Sequence, residues 1–166
     1  MKTLKIIPFF LFIVTVAGCA TQSSAPRQAL PTSRIYDAPK NVVWPIVVQE
    51  IGLNYPVKAV EKDSGLLTTD LVSMPAGYDN MRMNEWVFPP RFFLATWGGL
   101  RMTMSVLVTE PETNRTQVLI RTHYEAFENN VSHLWIVCES NGGLENSLLG
   151  RIADQLATKS TAQASN

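Results

Sequence analysis

Strict alternation of apolar and polar positions marks the second half of the chain. Within residues 102–109 every second side chain is Met or Val, and residues 116–127 alternate in the same manner. Successive side chains of a strand point to opposite faces, so each run predicts a strand with one face in the core. Residues 111–114, which contain Pro and Asn, predict the turn between these two strands.

Shorter β-rich runs precede and follow this pair. Residues 34–36 predict a short first strand, and residues 57–61 and 66–72 predict two more. The connection Lys62-Asp63-Ser64-Gly65 ends in Gly, which accepts the positive φ of a hairpin turn, so these two strands are expected to be antiparallel. Residues 131–139 predict one further short strand.

Helical spacing first occurs near residue 43. Val43, Val47 and Ile51 recur at the spacing of one helix face, after the start signal Asp37-Ala38-Pro39. Pro45 lies within this stretch, where it removes a backbone donor. The helix is therefore expected either to begin after Asp37 or to kink at Pro45.

A second helical pattern closes the folded region. After Gly143, Leu144, Leu148, Ile152 and Leu156 repeat at every fourth position. Strands and helices in this order predict one α+β domain over residues 33–156, built as a two-layer sandwich. Its mostly antiparallel sheet is expected to have four to six strands, with two helices on one face. The Ser-, Thr- and Ala-rich residues 157–166 are expected to form a flexible tail.

The N-terminus has the layout of an export signal. Lys2 and Lys5 precede an apolar run, which ends in Val16-Ala17-Gly18-Cys19 and is shorter than the roughly 20 residues that span a bilayer. The cysteine after two small residues resembles the lipobox of bacterial lipoproteins. That resemblance implies removal of residues 1–18, a diacylglycerol thioether on Cys19 and an acylated N-terminus.

The residues that follow Cys19 bear on the destination of the mature protein. Ala20 follows, with no aspartate, which resembles the pattern of lipoproteins sorted to the outer membrane. The polar, proline-containing residues 19–32 predict a lipidated N-terminus and flexible tether, so the domain is expected to face the periplasm.

Charge and cysteine content bear on two further points, the class of partner and the possibility of a disulfide. The chain has 14 Lys and Arg against 14 Asp and Glu, and loss of Lys2 and Lys5 with the signal leaves a net charge of −2. A nucleic-acid partner would require a basic stripe, so none is expected. With Cys19 acylated, Cys138 is the one remaining cysteine and cannot form an internal disulfide.

Two local sequences add a family resemblance. Together with the lipobox, Asp37-Ala38-Pro39 at the first helix and the strand connection at 60–68 resemble the helix-grip domains of the outer-membrane assembly lipoprotein BamC. The resemblance implies a helix-grip fold and a role as a protein-binding component of outer-membrane protein assembly.

Residues 73–99 form a long insertion between the predicted strands and concentrate aromatic side chains. Long loops of this type either bind partners or cover a core. Burial of large apolar groups favours the cover, whereas clustered exposed aromatics are typical of interaction sites. The candidate partner-binding residues are Tyr78, Trp86, Phe88, Phe92, Phe93 and Trp97.

Three weaker patterns each have a functional and a structural interpretation. Thioether, imidazole and thiol groups could bind a soft metal, but Met81, Met83, Met102 and Met104 also suit core positions. Cys138 with His123 or His133 could form a nucleophile and base, but a Cys beside Trp135-Ile136-Val137 is usually a buried small hydrophobe. Residues 141–145 resemble a weak anion-binding turn at a helix start.

The sequence therefore predicts a non-catalytic outer-membrane lipoprotein that binds a protein partner in the envelope, without metal or cofactor. The alternative is a small-ligand carrier that uses the groove between the last helix and the sheet.

Overall fold

The computed structural model describes residues 28–74, 83–90 and 94–164. The export signal, Cys19 and most of the predicted tether lie outside these ranges. Within them the chain forms an α+β fold with an open antiparallel sheet of eight strands and two helices. In chain order the elements are β1 (Ser33–Tyr36), α1 (Lys40–Asn54), β2 (Val57–Glu61), β3 (Leu66–Thr69), β4 (Val72–Ser73), β5 (Val87–Phe88), β6 (Trp97–Glu112), β7 (Arg115–Glu128), β8 (Trp135–Ser140) and α2 (Gly143–Ala164).

The sheet is assembled around the long pair β6 and β7. Its order is β2-β3-β6-β7-β8-β5, with β4 also paired to β6 and β1 also paired to β7. Strands of 16 and 14 residues are longer than their neighbours, so each takes two short strands along its free side. This division explains why the described residues contain eight strands where four to six were expected. Strands β4 and β5 have two residues each, too few to show a periodicity.

Alternation along β6 and β7 matches the predicted core face. Met104 and Val106 are at most 1% exposed, and Val106 lies opposite the fully buried Ile120. The intervening residues face the other side and are half-buried or, like Ser105 and Arg121, exposed. The long hairpin therefore has one buried and one solvated face.

Both helices supply the apolar side chains that cover the buried face. On α1, Val43, Ile46 and Val47 are fully buried, and on α2, Leu148 and Ile152 are fully buried. Removing these side chains from water supplies about 1.5–3 kcal/mol for each, measured against the exposed state. The sheet face opposite the helices keeps its polar side chains in solvent.

The turn after β2 has the predicted glycine geometry. Gly65 has a φ of 74°, and a Cβ there would lie 2.0 Å from the carbonyl oxygen of Val108. The Val108 amide also donates to the Gly65 carbonyl at 2.8 Å. The lack of a side chain thus allows the turn to pack directly against β6.

The first helix begins three residues later than its start signal. Pro39 occupies the N-cap position of α1 without a side-chain cap, and Asp37 lies 3.6 Å from Arg115 instead. Pro45 remains inside the helix. Because proline has no amide hydrogen, the carbonyl of Asn41 loses its usual helical donor.

Both ends of the domain extend beyond the predicted bounds. The Leu30 amide donates to the Asn141 carbonyl at 2.8 Å, and the Ile120 amide donates to the Thr32 carbonyl at 2.9 Å. The last residues of the predicted tether are therefore attached to the domain. At the other end α2 continues to Ala164, so residues 157–164 are not a flexible tail. Hydroxyl groups there donate to the carbonyl four residues earlier, as Thr158 does to Asp154 at 2.9 Å.

Truncation of a core side chain should test this packing. We expect Ile152→Ala to lower the free energy of unfolding by about 2–5 kcal/mol, because the cavity forms at a fully buried site. Leu107→Ala, on the solvated face at 37% exposure, should cost far less. Urea unfolding of both variants checks this, and equal losses would contradict the described burial.

Candidate functional site

The described part of the aromatic insertion lies against the core. Trp97 is 8% exposed, and Trp86 packs against the core while partly accessible. Phe88 is half-buried on β5, opposite Glu139 of β8. Trp97 and Trp86 thus help to close the core, as the cover interpretation expects, and Trp97 offers no free surface. Tyr78, Phe92 and Phe93 lie outside the described residues.

Hydrogen bonds tie this segment to the start of α2. The Asn141 amide donates to the Trp86 carbonyl at 3.0 Å, and Asn141 Nδ2 donates to the Asn84 carbonyl at 2.7 Å. Asn141 also accepts the bond from Leu30. One asparagine therefore joins the insertion, the incoming chain and the last helix.

A buried carboxylate organises the turn between β7 and β8. Glu128 is 1% exposed and accepts hydrogen bonds from the backbone amides of Asn130, Val131 and Ser132 at 2.6–2.8 Å. It also accepts the Thr96 amide at 3.2 Å, which links the end of the insertion to this turn. These donors favour the charged form and lower the pKa of Glu128 to about 2.

Around this carboxylate the structure exposes apolar side chains. Leu94 and Val131 are each 64% exposed, and Leu134 is 62% exposed. Asn130 Nδ2 donates to the Leu94 carbonyl at 2.9 Å, which brings the two chain segments together. On the neighbouring outer face of β8, Trp135 and Val137 are also exposed. We call these five residues the tip patch: Leu94, Val131, Leu134, Trp135 and Val137.

Trp135 has charged and aromatic neighbours on the outer sheet face. The Arg101 guanidinium lies 4.1 Å from the centre of its ring, and the Phe127 ring centre lies 5.4 Å away. Arg101 Nε also donates to Glu125 Oε2 at 2.6 Å. The indole is thus held between an apolar tip and a charged part of the face.

A second apolar surface lies between α1 and β2. It is a cleft of about 420 Å³ lined by Trp44, Pro45, Val48, Gln49 and Val60, which we call the α1–β2 cleft. A further cavity of about 300 Å³ adjoins it near Lys40 and Lys62. Volumes of this size fall in the range of sites that hold ligands or partner side chains.

The position of Val60 explains why the cleft is open. Val60 lies opposite Leu67, and cross-strand partners share one face of a sheet, so Val60 belongs to the core face. Leu67 is fully buried, yet Val60 is 47% exposed. Helix α1 therefore does not cover the β2 edge of the sheet, and the apolar side chain of Val60 remains accessible to solvent there.

A third groove runs between β1 and the C-terminal half of α2. Its volume is about 370 Å³, and its walls include Ile35, Val42 and Leu156, with Arg34 and Lys159 beside them. Closer to the start of α2 the helix–sheet interface is filled, since Leu148 and Ile152 are fully buried. Space for a small molecule is thus confined to the open end of this groove.

The candidate metal and catalytic residues are separated by the sheet. Cys138 lies opposite Tyr124 on the core face, and His123, one residue earlier on β7, is exposed on the outer face. His133 is exposed in the β7–β8 turn. Met83, Met102 and Met104 are core residues, and Met81 lies outside the described residues. Among the described residues, no group of three or more His, Cys, Asp or Glu side chains could hold a metal ion.

Burial also removes the nucleophilic form of the thiol. Desolvation raises the pKa of Cys138 to about 11, so the group is protonated at neutral pH. The described geometry therefore provides no thiolate–imidazole pair.

The helix start at residues 141–145 is occupied by its own side chains. Gly143 donates its amide to Asn141 Oδ1 at 2.8 Å, and Gly142 donates to Ser140 Oγ at 3.0 Å. The Glu145 carboxylate is 1% exposed and accepts the Ser140 hydroxyl at 2.7 Å. Side-chain oxygens of Ser140 and Asn141 thus occupy the Gly142 and Gly143 amides that a bound anion would need.

Compared with known proteins, the chain matches no protein-family model and no curated relative. Neither helix within the described ranges is long and apolar enough to span a bilayer.

The sequence pattern did not predict either the tip patch or the α1–β2 cleft as a binding surface. A signal for the tip patch exists: Val131 and Leu134 are apolar residues within the turn-forming run 129–134, where burial by periodicity is not expected. For the α1–β2 cleft no local signal exists, because Trp44 and Val60 occupy ordinary core positions of their helix and strand.

Replacing the buried carboxylate gives a pH-dependent test. The pKa of Glu128 is lowered from 4.5 to about 2 on folding, so its stabilisation is complete above pH 4.5 and is lost as the pH falls towards 2. We expect Glu128→Gln to unfold more easily than the native protein at pH 7, because one amide oxygen cannot accept all these bonds. The difference should shrink below pH 4.5.

Thermal unfolding from pH 2 to 8 measures the effect. Glu112→Gln serves as the control, because the Glu112–Arg115 pair is exposed and solvent-exposed pairs contribute little to stability. A gap between Glu128→Gln and the native protein that stayed constant down to pH 2 would contradict the role of the carboxylate.

Proposed function

We propose that the chain is a non-catalytic lipoprotein, anchored in the outer membrane through acylated Cys19, whose periplasmic domain binds a protein partner. The charged start, the apolar run and the small residues before Cys19 support the anchor. Several acyl chains on one N-terminus bind a bilayer durably, at about 0.8 kcal/mol for each buried methylene.

The observation that carries the partner-binding proposal is the α1–β2 cleft. Val60 faces the core side of the sheet yet is 47% exposed, and it lies beside the half-buried Val48 and the ring of Pro45. Together these side chains form an apolar concavity at the edge of the buried core. Concave apolar sites of this kind accept the anchor side chains that dominate protein interfaces. The partner surface is thus assigned to α1 and β2, whereas Trp86 and Trp97 of the insertion serve the core.

The polar groups at the cleft favour a polypeptide as the ligand. Pro45 removes the usual helical donor of the Asn41 carbonyl, and charged side chains of both signs stand at one end: Lys40, Lys62, Asp63 and Glu110. Strand β2 lies at the end of the sheet order, so one side of its backbone faces no described strand. A partner that inserts an apolar side chain can therefore also be held by hydrogen bonds and charge.

The family resemblance supports a more specific proposal for the fold and the role. Two helices over one sheet face support a two-layer sandwich of the helix-grip type. A lipid-anchored domain of this type with an open cleft would suit a component of BamC-like outer-membrane protein assembly.

The groove between β1 and α2 favours the second candidate function, a small-ligand carrier. It combines about 370 Å³ of space and apolar walls with two cationic side chains, Arg34 and Lys159, and one acid, Asp37. These features would suit an anionic small molecule with an apolar part.

Substitution of the acylated cysteine tests the anchor. We expect Cys19→Ser to abolish incorporation of labelled palmitate and to move the protein from the membrane fraction, because the thioether cannot form. Mass spectrometry of the native N-terminus should show the acyl groups on residue 19. An unmodified N-terminus, or cleavage at another residue, would contradict the anchor.

A charge in the α1–β2 cleft tests the partner site. With a photo-crosslinking residue at the exposed position Gln49, we expect Val60→Asp to reduce the cross-linked partner at least about tenfold, the loss typical of an interface anchor. Leu53→Asp is the matched control, because Leu53 lies on α1 at 74% exposure and does not line the cleft. An equal yield from Val60→Asp and the control would exclude the cleft as the site.

A further inference from the structure

The tip patch is held rigidly by the fold and is directed away from the core. The Glu128 carboxylate fixes the turn that carries Val131, and the Asn130 side chain fixes the backbone at Leu94. Leu94 and His133 have φ values of 62° and 54°, left-handed conformations that are unfavourable for L-residues. A strained, hydrogen-bonded scaffold with apolar side chains more than 60% exposed is consistent with a functional surface.

The chemistry of the tip is apolar and uncharged. Residues 94–99 and 128–135 contain no Lys or Arg, and their single acid is Glu128. That carboxylate is buried and saturated by backbone donors, so residues 94–99 and 128–135 present no exposed Lys, Arg, Asp or Glu side chain. Arg101 and Glu125, which form an ion pair with each other, border the patch at Trp135 and Val137. A surface of this type has no electrostatic feature that would select a charged partner.

The side chains are arranged in the order found at a membrane interface. Leu94, Val131 and Leu134 form the outermost apolar group, followed by the Trp135 indole with Arg101 stacked on it, and then by polar residues of the outer face such as His123. Tryptophan prefers the level of the lipid head groups, where one side of the ring is apolar and the other is wet.

The length of chain before the domain places a bilayer within reach. Leu30 is hydrogen-bonded beside the end of β8, and Trp135 begins the same strand, about 20 Å away. The chain from Cys19 to Leu30 spans about 35 Å when extended and about 18 Å on average as a coil. When acylated Cys19 is inserted in a membrane, the chain before Leu30 is therefore long enough for the tip patch to contact the same membrane surface.

We propose that the tip patch inserts into the lipid surface to which acylated Cys19 anchors the chain, and so fixes the orientation of the domain. This rests on the lipid anchor proposed above. The expected depth is that of an interfacial element, about 5–10 Å below the head groups. Strands β3, β6 and β7 separate β2 from β8 in the sheet, so the α1–β2 cleft would then lie away from the bilayer.

A fluorescent label at the tip tests the insertion. The lipidated full-length protein, carrying Leu134→Cys in a Cys138→Ala background, is labelled with the environment-sensitive dye NBD and reconstituted into protein-free vesicles. We expect blue-shifted emission that lipids with spin labels on their acyl chains quench strongly. Because the tip is uncharged, phosphatidylcholine vesicles and mixed phosphatidylethanolamine–phosphatidylglycerol vesicles should give the same result.

The matched control is Leu53→Cys in the same background, at 74% exposure on α1, which should keep the emission of a label in water. If the protein floats with the vesicles and the two labels behave alike, the insertion is refuted while the anchor stands. Shielding at residue 134 in native membranes but not in protein-free vesicles would assign the tip to a protein and refute the proposal. Loss of flotation together with an unmodified Cys19 would refute the anchor and, with it, the insertion.

Discussion

The antiparallel pairing of β6 with β7 is the constraint on which the rest of the structure depends. Its register places Met104, Val106 and Ile120 on one face, and that face becomes the surface against which both helices pack. The two strands are also longer than any neighbour. Each therefore needs two shorter strands to satisfy its backbone. The chain supplies β1, β3 and β4 from segments before β6, and β8 from the segment that follows β7.

The exposed apolar surfaces arise where this arrangement ends. Helix α1 crosses the sheet without covering its β2 edge, so Val60 stays open to solvent although it faces the core side. On the other side of the β6–β7 pair, the β7–β8 connection carries the exposed side chains of Val131 and Leu134. Strands β3, β6 and β7 lie between β2 and β8, so the two surfaces are separated and one can meet a membrane while the other meets a partner.

Glu128 shows how a buried charge can be tolerated in the β7–β8 turn. Isolated burial of a carboxylate is costly, but four backbone amides here donate to it directly. The same bonds satisfy amides that a tight turn would otherwise leave without partners. The result is a rigid turn with no exposed acid, and therefore a turn able to carry apolar side chains to the surface.

Much of the fold followed from local periodicity. Alternation predicted β6 and β7, fourfold spacing predicted α2, and the Gly65 turn predicted the β2–β3 hairpin, because each depends on neighbours in sequence. The strand count was too low, since β4 and β5 are two-residue segments defined by pairing and not by pattern. The continuation of α2 to Ala164 was not predicted, because a Ser- and Thr-rich composition is typical of flexible tails. In the structure these residues are helical, and their hydroxyl groups donate to the carbonyls four residues earlier.

By itself the sequence determined the export-type N-terminus pattern, the absence of a basic stripe and the residues that can form strands and helices, because these are properties of composition and short spacing. Only the tertiary structure decided which aromatic side chains are available to solvent. Trp44 and Trp97 are buried, whereas Trp135 is 38% exposed, although all three lie in regular elements. The reason is physical: exposure depends on where a covering helix stops and how far a hairpin projects, and both distances are set by contacts between residues remote in the chain.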